Sequence, residues 1–451
     1  MPGVRASRAR HGVLGFALAL TAIAYLDRVC ISTAAPAIQR DLALSDGRMG
    51  LVFSAFTLAY ALCEVPSGWL ADRFGARWML TRIVLWWSTM TAATGAARGF
   101  GSLVALRALF GAGEAGTFPS MARAFARWLP PREQGRAFGL TIMAGALGGA
   151  LTQPLVVAIL QHASWRVAFP LFGAVGLVWA LGWAVWFRDD PHAHRSVNEA
   201  ELERIGSAPP SPHPSVPWRA VLRHRGLLAL CGMYAGAIYG WYFFLTWLPT
   251  YLLRARGFDL ASVGWLAMLP LLAIALGVLL GGWLSDTLAR RLGARAGRRV
   301  PGLVGLPLAA ATLLGALWTP VPETAATLLA ATAGLAALGV APAWAVCLEL
   351  GGRHAGVVSG AMNTFGNLGG FLSPIVVGLC LDRFGSWNAP LVTVAVGYLL
   401  AAACWLRIDP LERLDDDSGR ARLEARMGAS SGHPAAAGAA ARFRSREERG
   451  R

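Results

Sequence analysis

Lysine is absent from this sequence, so all 41 basic residues are arginines. A GC-rich bacterial genome accounts for that bias. Charge is also scarce: 15% of residues carry it, against about 25% in soluble domains. The six cysteines (Cys30, Cys63, Cys231, Cys347, Cys380 and Cys404) lie in or beside apolar runs with no paired spacing. That argues against a disulfide framework or a zinc site, and no metal is expected. There is no Gly-Lys-Ser/Thr phosphate loop, so ATP drive is not indicated. No constellation of residues reads as an enzyme site, and His162, His192, His194, His213, His224 and His354 fall in loops or near the ends of apolar runs. The net charge of +16 invites a nucleic-acid partner. The arginines, however, sit mostly in short gaps between apolar runs, where membrane topology places them, so no nucleic acid is expected.

What the chain has is apolar surface. Hydrophobic residues make up 55% of it and the mean hydropathy is +0.49. A membrane span needs roughly 20 predominantly apolar residues, and about a dozen such stretches are present. The expected spans are 12–36, 48–71, 78–98, 102–126, 135–160 and 165–187, then 225–253, 261–287, 301–319, 323–348, 354–380 and 389–408. The basic N-terminus leads into the first run without a convincing small-residue cleavage site, so that run reads as a retained span. The expected fold is an all-α membrane protein of twelve transmembrane helices in two pseudo-symmetric six-helix bundles. Residues 1–187 form the N-terminal bundle, 188–224 a cytoplasmic linker with a Pro/Ser stretch, 225–408 the C-terminal bundle, and 409–451 a disordered tail with little to bury. With the N-terminus inside, inner loops hold roughly 20 arginines against about 7 outside, the expected bias. That places a monomeric, multi-pass protein among the lipids of a bacterial inner membrane, with both termini cytoplasmic.

The two halves repeat each other. Gly68-Trp69-Leu70-Ala71-Asp72 ends the second span and Gly282-Trp283-Leu284-Ser285-Asp286 the eighth, an offset of 214 residues. Gly145 to Gly149, followed by Pro154, and Gly366 to Gly370, followed by Pro374, repeat with the glycine runs at an offset of 221. Such duplications commonly build transporters with a substrate site between the halves. The run Gly68-Trp69-Leu70-Ala71-Asp72-Arg73-Phe74-Gly75-Ala76-Arg77 resembles the loop between spans 2 and 3 of the major facilitator superfamily. Its conformational motif is carried by Gly68, Asp72, Arg73, Gly75 and Arg77, with Gly282 and Asp286 as a degenerate second copy. Within that superfamily the chain resembles the anion:cation symporter family. The resemblance is carried by Tyr25-Leu26-Asp27-Arg28, by Arg107 to Gly116, by Trp247-Leu248-Pro249-Thr250-Tyr251, and by Asn363 to Gly370. It implies a secondary transporter, not an enzyme, that imports a small organic anion such as a sugar acid, dicarboxylate or aromatic acid. Coupling to protons and alternating access are part of that implication, with no bound cofactor. An exchanger or efflux carrier of the same fold, and a non-transporting anion sensor, are the alternatives.

Five charges fall inside apolar spans: Asp27, Arg28, Glu64, Arg107 and Glu114. Each costs on the order of 2.5–3.5 kcal/mol at the bilayer centre and persists when paired, hydrated or functional. At 1.5 Å per residue, Arg28 lies roughly 24 Å and Arg107 about 22 Å from the inner edge. Two guanidinium forks at one depth suit a carboxylate ligand, and in the resembling family the matching arginines contact the substrate. Glu114, two turns after Arg107, falls near the midplane on the same face. The resemblance assigns proton coupling to Asp27 and Glu114; a structural Asp27–Arg107 salt bridge is the alternative. Glu64 stands where the family often has glutamine. It reads either as a carboxylate that alters coupling or narrows the substrate range, or as a hydrated residue near the inner mouth. Asn363 and Asn367 share a face of the eleventh span and suit hydroxyl-bearing ligands. Tyr60, Tyr239, Tyr242 and Gln153 complete the candidate substrate lining; for the two tyrosines of the seventh span an interfacial belt is the alternative.

Overall fold

The computed structural model describes residues 6–206 and 223–412, apart from the side chains of Val65, Asp72, Pro131 and Arg353. The expected linker's Pro/Ser stretch and all but the start of the expected tail lie outside these residues. Among those described there are seventeen α-helices and no strand. In the first half they are α1 (Ala9–Leu42), α2 (Asp46–Phe74), α3 (Ala76–Thr94), α4 (Phe100–Glu114), α5 (Thr117–Trp128), α6 (Pro131–His162), α7 (Trp165–Trp186) and the short α8 (Glu199–Ile205). The second half has α9 (Arg225–Thr246), α10 (Leu248–Arg254), α11 (Leu260–Leu266), α12 (Met268–Leu292), α13 (Ala294–Trp318), α14 (Pro322–Ala337), α15 (Val340–Gly351), α16 (Ala355–Phe384) and α17 (Asn388–Trp405). Nine helical segments are long and apolar enough to cross a membrane by themselves. With α2, α3 and the α4–α5 pair they make the twelve expected spans.

Four spans are discontinuous where the sequence reads as one run: α4–α5, α9–α10, α11–α12 and α14–α15. The first break has an identifiable cause. Gly116 sits at φ +90°, a conformation that a Cβ disfavours, and its backbone abuts Ser67 of α2. Thr117 Oγ1 donates to the Glu114 carbonyl at 2.6 Å, recovering an acceptor freed by the break. Glu114 is thereby left at the very end of α4 instead of inside a longer helix.

The repeated glycines do the same work in each half. Lipid supplies no hydrophobic force between helices, so close van der Waals approach at small residues holds them together. A Cβ at Gly148 would strike the backbone of Ala22, and Gly145 and Gly149 lie against the Tyr25 ring, seating α6 on α1. A Cβ at Gly369 would strike the backbone of Ala235, while Gly366 and Gly370 lie against the rings of Tyr234 and Tyr242, seating α16 on α9.

The halves meet across α2 and α16 at the end of the bundle remote from the arginine clusters. There Asp382 accepts from the backbone N–H of Asp46 at 3.0 Å and of Gly47 at 2.9 Å, capping α2 from the opposite half. Arg254 reaches Asp46 at 2.8 Å and Gln39 at 2.9 Å, and Ser54 donates to the Phe371 carbonyl at 2.6 Å. Gly50 packs on the Pro374 backbone beside these contacts.

Candidate functional site

Arg28 leaves α1 partway along its length and pairs with the carboxylate that ends α4. Its Nε lies 2.8 Å and its Nη2 2.7 Å from Glu114 Oε1. The side chain of Glu114 is 1% exposed, so this is an ion pair removed from water, where mutual attraction has to offset desolvation of both partners. Aromatic rings surround the guanidinium: Tyr25 at 5.4 Å, Phe56 at 5.1 Å and Tyr60 at 5.1 Å from ring centroid to Cζ. Arg107 is 4% exposed and lies 5.1 Å from the same Phe56 centroid and 4.6 Å from Phe110. The two arginines therefore share one ring. Cation–π attraction of this kind strengthens when the pair is desolvated.

Several polar atoms around this pair have no protein partner. They are Arg107 Nε, both carboxylate oxygens of Asp27 and Glu114 Oε2; Asn367 Nδ2 of α16 is likewise buried without a protein partner. Nearly all buried polar groups in folded proteins are partnered, so each such exception asks for water or a ligand. Asp27 is 1% exposed, and the indole N–H of Trp87 interacts with its carboxylate without reaching full hydrogen-bond geometry. The two carboxylate oxygens of Asp27 accept no bond from Arg107, and Glu114 bonds Arg28 on another helix instead of Arg107 on its own.

The C-terminal half faces this charged group with uncharged side chains. Tyr242 lies close enough to Arg28 to interact with it electrostatically, and Asn363 Nδ2 donates to both Glu64 oxygens at 3.2 Å. The structure thus brings Arg28, Arg107, Asp27, Glu114, Tyr60, Tyr242, Glu64 and Asn363 around one region between the bundles. Two candidates stand apart. The Tyr239 hydroxyl bonds Thr393 of α17 at 2.9 Å, inside the C-terminal half. Gln153 bonds Thr33 of α1 inside the N-terminal half, with its Nε2 left unpartnered. Tyr25, quoted only as part of a family motif, and Phe56 were not among the expected site residues. Each is spaced by helical periodicity from a residue that was singled out, Tyr25 three before Arg28 and Phe56 four before Tyr60, so the signal was present.

The Major Facilitator Superfamily description matches residues 17–374. The chain belongs to the major facilitator superfamily. It is 38% identical over 421 residues to the "Probable sulfoacetate transporter SauU" of Cupriavidus necator, across 92% of this chain and 97% of that protein. It is 32% identical over 428 residues to the D-galactonate transporter of Escherichia coli, across 90% and 97%. To the hexuronate transporter of Bacillus subtilis it is 32% identical over 387 residues, across 85% and 90%. These relatives are named as transporters of organic anions, not as enzymes, in line with the family that the motifs resemble. Among solved structures, an inward-facing, unoccupied bacterial homolog of the human lysosomal transporter Spinster has the same fold. It aligns with a TM-score of 0.70 at 20% identity, over 88% of this chain and 94% of that one.

In this facilitator the loop motif is held from within its own half. Gly75, at φ +85°, lies against the carboxylate of Asp189, which accepts from the backbone N–H groups of Ala76 at 2.7 Å and Arg77 at 3.2 Å. A carboxylate at these N–H groups satisfies the start of α3 and complements its dipole. Arg77 donates to the Ala184 carbonyl at 2.6 and 3.0 Å. Arg73 lies over the rings of Trp69 and Phe74, and Gly68 approaches Pro119 of α5. The side chain of Asp72 lies outside the described residues. In the second copy Gly282 approaches Ala341 of α15, while Asp286 pairs with Arg298 at 2.7 Å and not with Arg290 or Arg291. Arg298 also bonds Glu349, at 2.7 Å.

The interval after α7 begins as folded chain. Glu201, fully buried, accepts from Ser7 and from the backbone N–H groups of Ala9 and Arg10 at the start of α1. His194 packs edge-on against Trp128 and Trp186, and burial there pushes its pKa below histidine's usual value.

Proposed function

We propose that this facilitator imports a small organic anion across a bacterial cytoplasmic membrane by proton-coupled symport, as a monomer in lipid. Its arginine-rich end and both termini are cytoplasmic. The observation that carries the reading is the pair of arginines gathered on one Phe56 ring beside polar atoms without protein partners. A carboxylate or sulfonate reaching this region meets the free Nε of Arg107 and the fork of Arg28, whose charge Glu114 currently balances. Protonation of Glu114 would release Arg28 to the anion, and a proton on Asp27 would lower the cost of its unpaired burial. Binding of anion and proton would thus be mutually favourable, which is what symport requires. Asn363, Asn367, Tyr60 and Tyr242 would hold the remainder of the molecule.

The contacts gathered at the end remote from the arginine clusters support an inward-open state, in which the cargo leaves toward the cytoplasm and the two bundles then rock about the site. The relatives' cargoes, which include sulfoacetate and sugar acids, set the size of molecule expected. The test is uptake of such acids into vesicles holding the purified protein under an imposed pH gradient. Gradient-stimulated uptake is expected, and an Arg107→Ala variant that transports as well as the parent would remove the core of this reading.

A further inference from the structure

The site has three carboxylates for two arginines, and the third has a geometry of its own. Glu114 neutralises Arg28, and Asp27 lies within Coulombic reach of Arg107. Glu64 belongs to neither pair. It projects from α2, one turn beyond Tyr60, and both its oxygens take the amide N–H of Asn363 on α16 in the opposite half. The other groups acting on it are Arg28 of α1 and Tyr60 of its own helix. An anion seated by one end on the arginines would therefore extend its other end toward a position where a carboxylate already occupies the available donor.

We infer that Glu64 is a specificity-determining residue that makes this carrier select monoanions whose far end donates hydrogen bonds, and reject dianions. A hydroxyl at the far end can donate to Glu64 and accept from the amide of Asn363. A second carboxylate or sulfonate can donate nothing, competes with Glu64 for that amide, and sets two like charges together in a site of low dielectric. Selectivity thus comes from a built-in repulsion as well as from attraction. This inference rests on the anion-carrier reading above.

Equilibrium binding to the purified full-length protein at pH 7.5 tests it with two matched pairs. They are D-galactonate against galactarate, and 2-hydroxyethanesulfonate against sulfoacetate. In each pair the skeleton is shared and only the far end changes from hydroxyl to anion. The wild type is expected to bind the monoanion at least tenfold more tightly in whichever pair it accepts. Glu64→Gln, which can still bond Asn363, should shrink that ratio at least tenfold, mainly by tightening the dianion. Asn363→Asp, which adds a carboxylate on the facing helix, should widen it, so either variant decides the matter if the other fails to fold. A wild type that prefers the dianion, or a ratio that neither variant changes, overturns the inference while leaving anion transport standing. Binding of no organic acid at all overturns the transport reading, and this inference with it.

Discussion

The two halves of this carrier are built alike and equipped differently. Each seats its fifth helix on its first through a glycine stripe that meets backbone at one point and tyrosine rings at others, Tyr25 in one half and Tyr234 and Tyr242 in the other. At the region where the halves meet, however, the N-terminal half carries Asp27, Arg28, Glu64, Arg107 and Glu114, while the C-terminal half offers Tyr242 and Asn363. Close packing of helices in lipid needs small residues at fixed points and constrains the duplicated scaffold on both sides. Ionisable residues at that depth are costly, and placing them in one bundle lets Arg28 and Glu114 neutralise each other within hydrogen-bond reach and keeps Asp27 within Coulombic range of Arg107.

The sharpest way to break this asymmetry is Arg107→Ala. It leaves the cargo's charge without its unpaired guanidinium partner, and anion uptake is expected to fall about 100-fold, the scale at which loss of one partner from a buried charge pair is felt. Glu114→Gln should act differently. Arg28 loses its balancing carboxylate, so anion binding persists or tightens, while stimulation of uptake by a pH gradient falls about tenfold, a difference of 1.4 kcal/mol; parallel binding and uptake assays separate the two effects. On the uncharged side Asn367→Ala removes one neutral donor. A rise of about 3- to 10-fold in apparent KM is expected, with no change in proton dependence. A fourth comparison concerns stability and not transport. Asp189 caps two backbone N–H groups at the start of α3, so Asp189→Ala should cost about 1 kcal/mol, read as a lowered Tm. Asp286, in the second copy of the loop motif, is 61% exposed and leaves Arg298 still bonded to Glu349 when removed. Asp286→Ala should therefore stay within about 0.5 kcal/mol.

Much of this arrangement was legible in the chain. The intramembrane charges stood out because each is expensive where it lies, and helical rise alone put Arg28 and Arg107 at one depth. Partnership was harder. Arg107 and Glu114 share a face of one helix, yet Glu114 bonds Arg28, because the break at Ala115–Gly116 ends α4 at Glu114 and directs its carboxylate toward α1. Tyr239 and Tyr242 are three residues apart on α9 and read alike, but the packing of α17 takes the first and α16 turns the second toward the other half. The folded start of the interval after α7 was also missed, since its anchors, Asp189 and Glu201, look like ordinary surface acids until the helix ends they cap are in place.

By itself the sequence determined the number of apolar spans, which end carries the positive charge, the twofold internal repeat, and which spans carry ionisable residues. These follow from hydropathy, arginine placement and a fixed rise per residue, all of them properties of one segment at a time. Tertiary structure alone decided that Arg28 pairs with Glu114, that two guanidinium groups share Phe56, and that Glu64 reaches Asn363 in the opposite half. Those facts depend on how each helix is rotated about its axis and where it is interrupted, and rotation is set by neighbours that no single segment encodes.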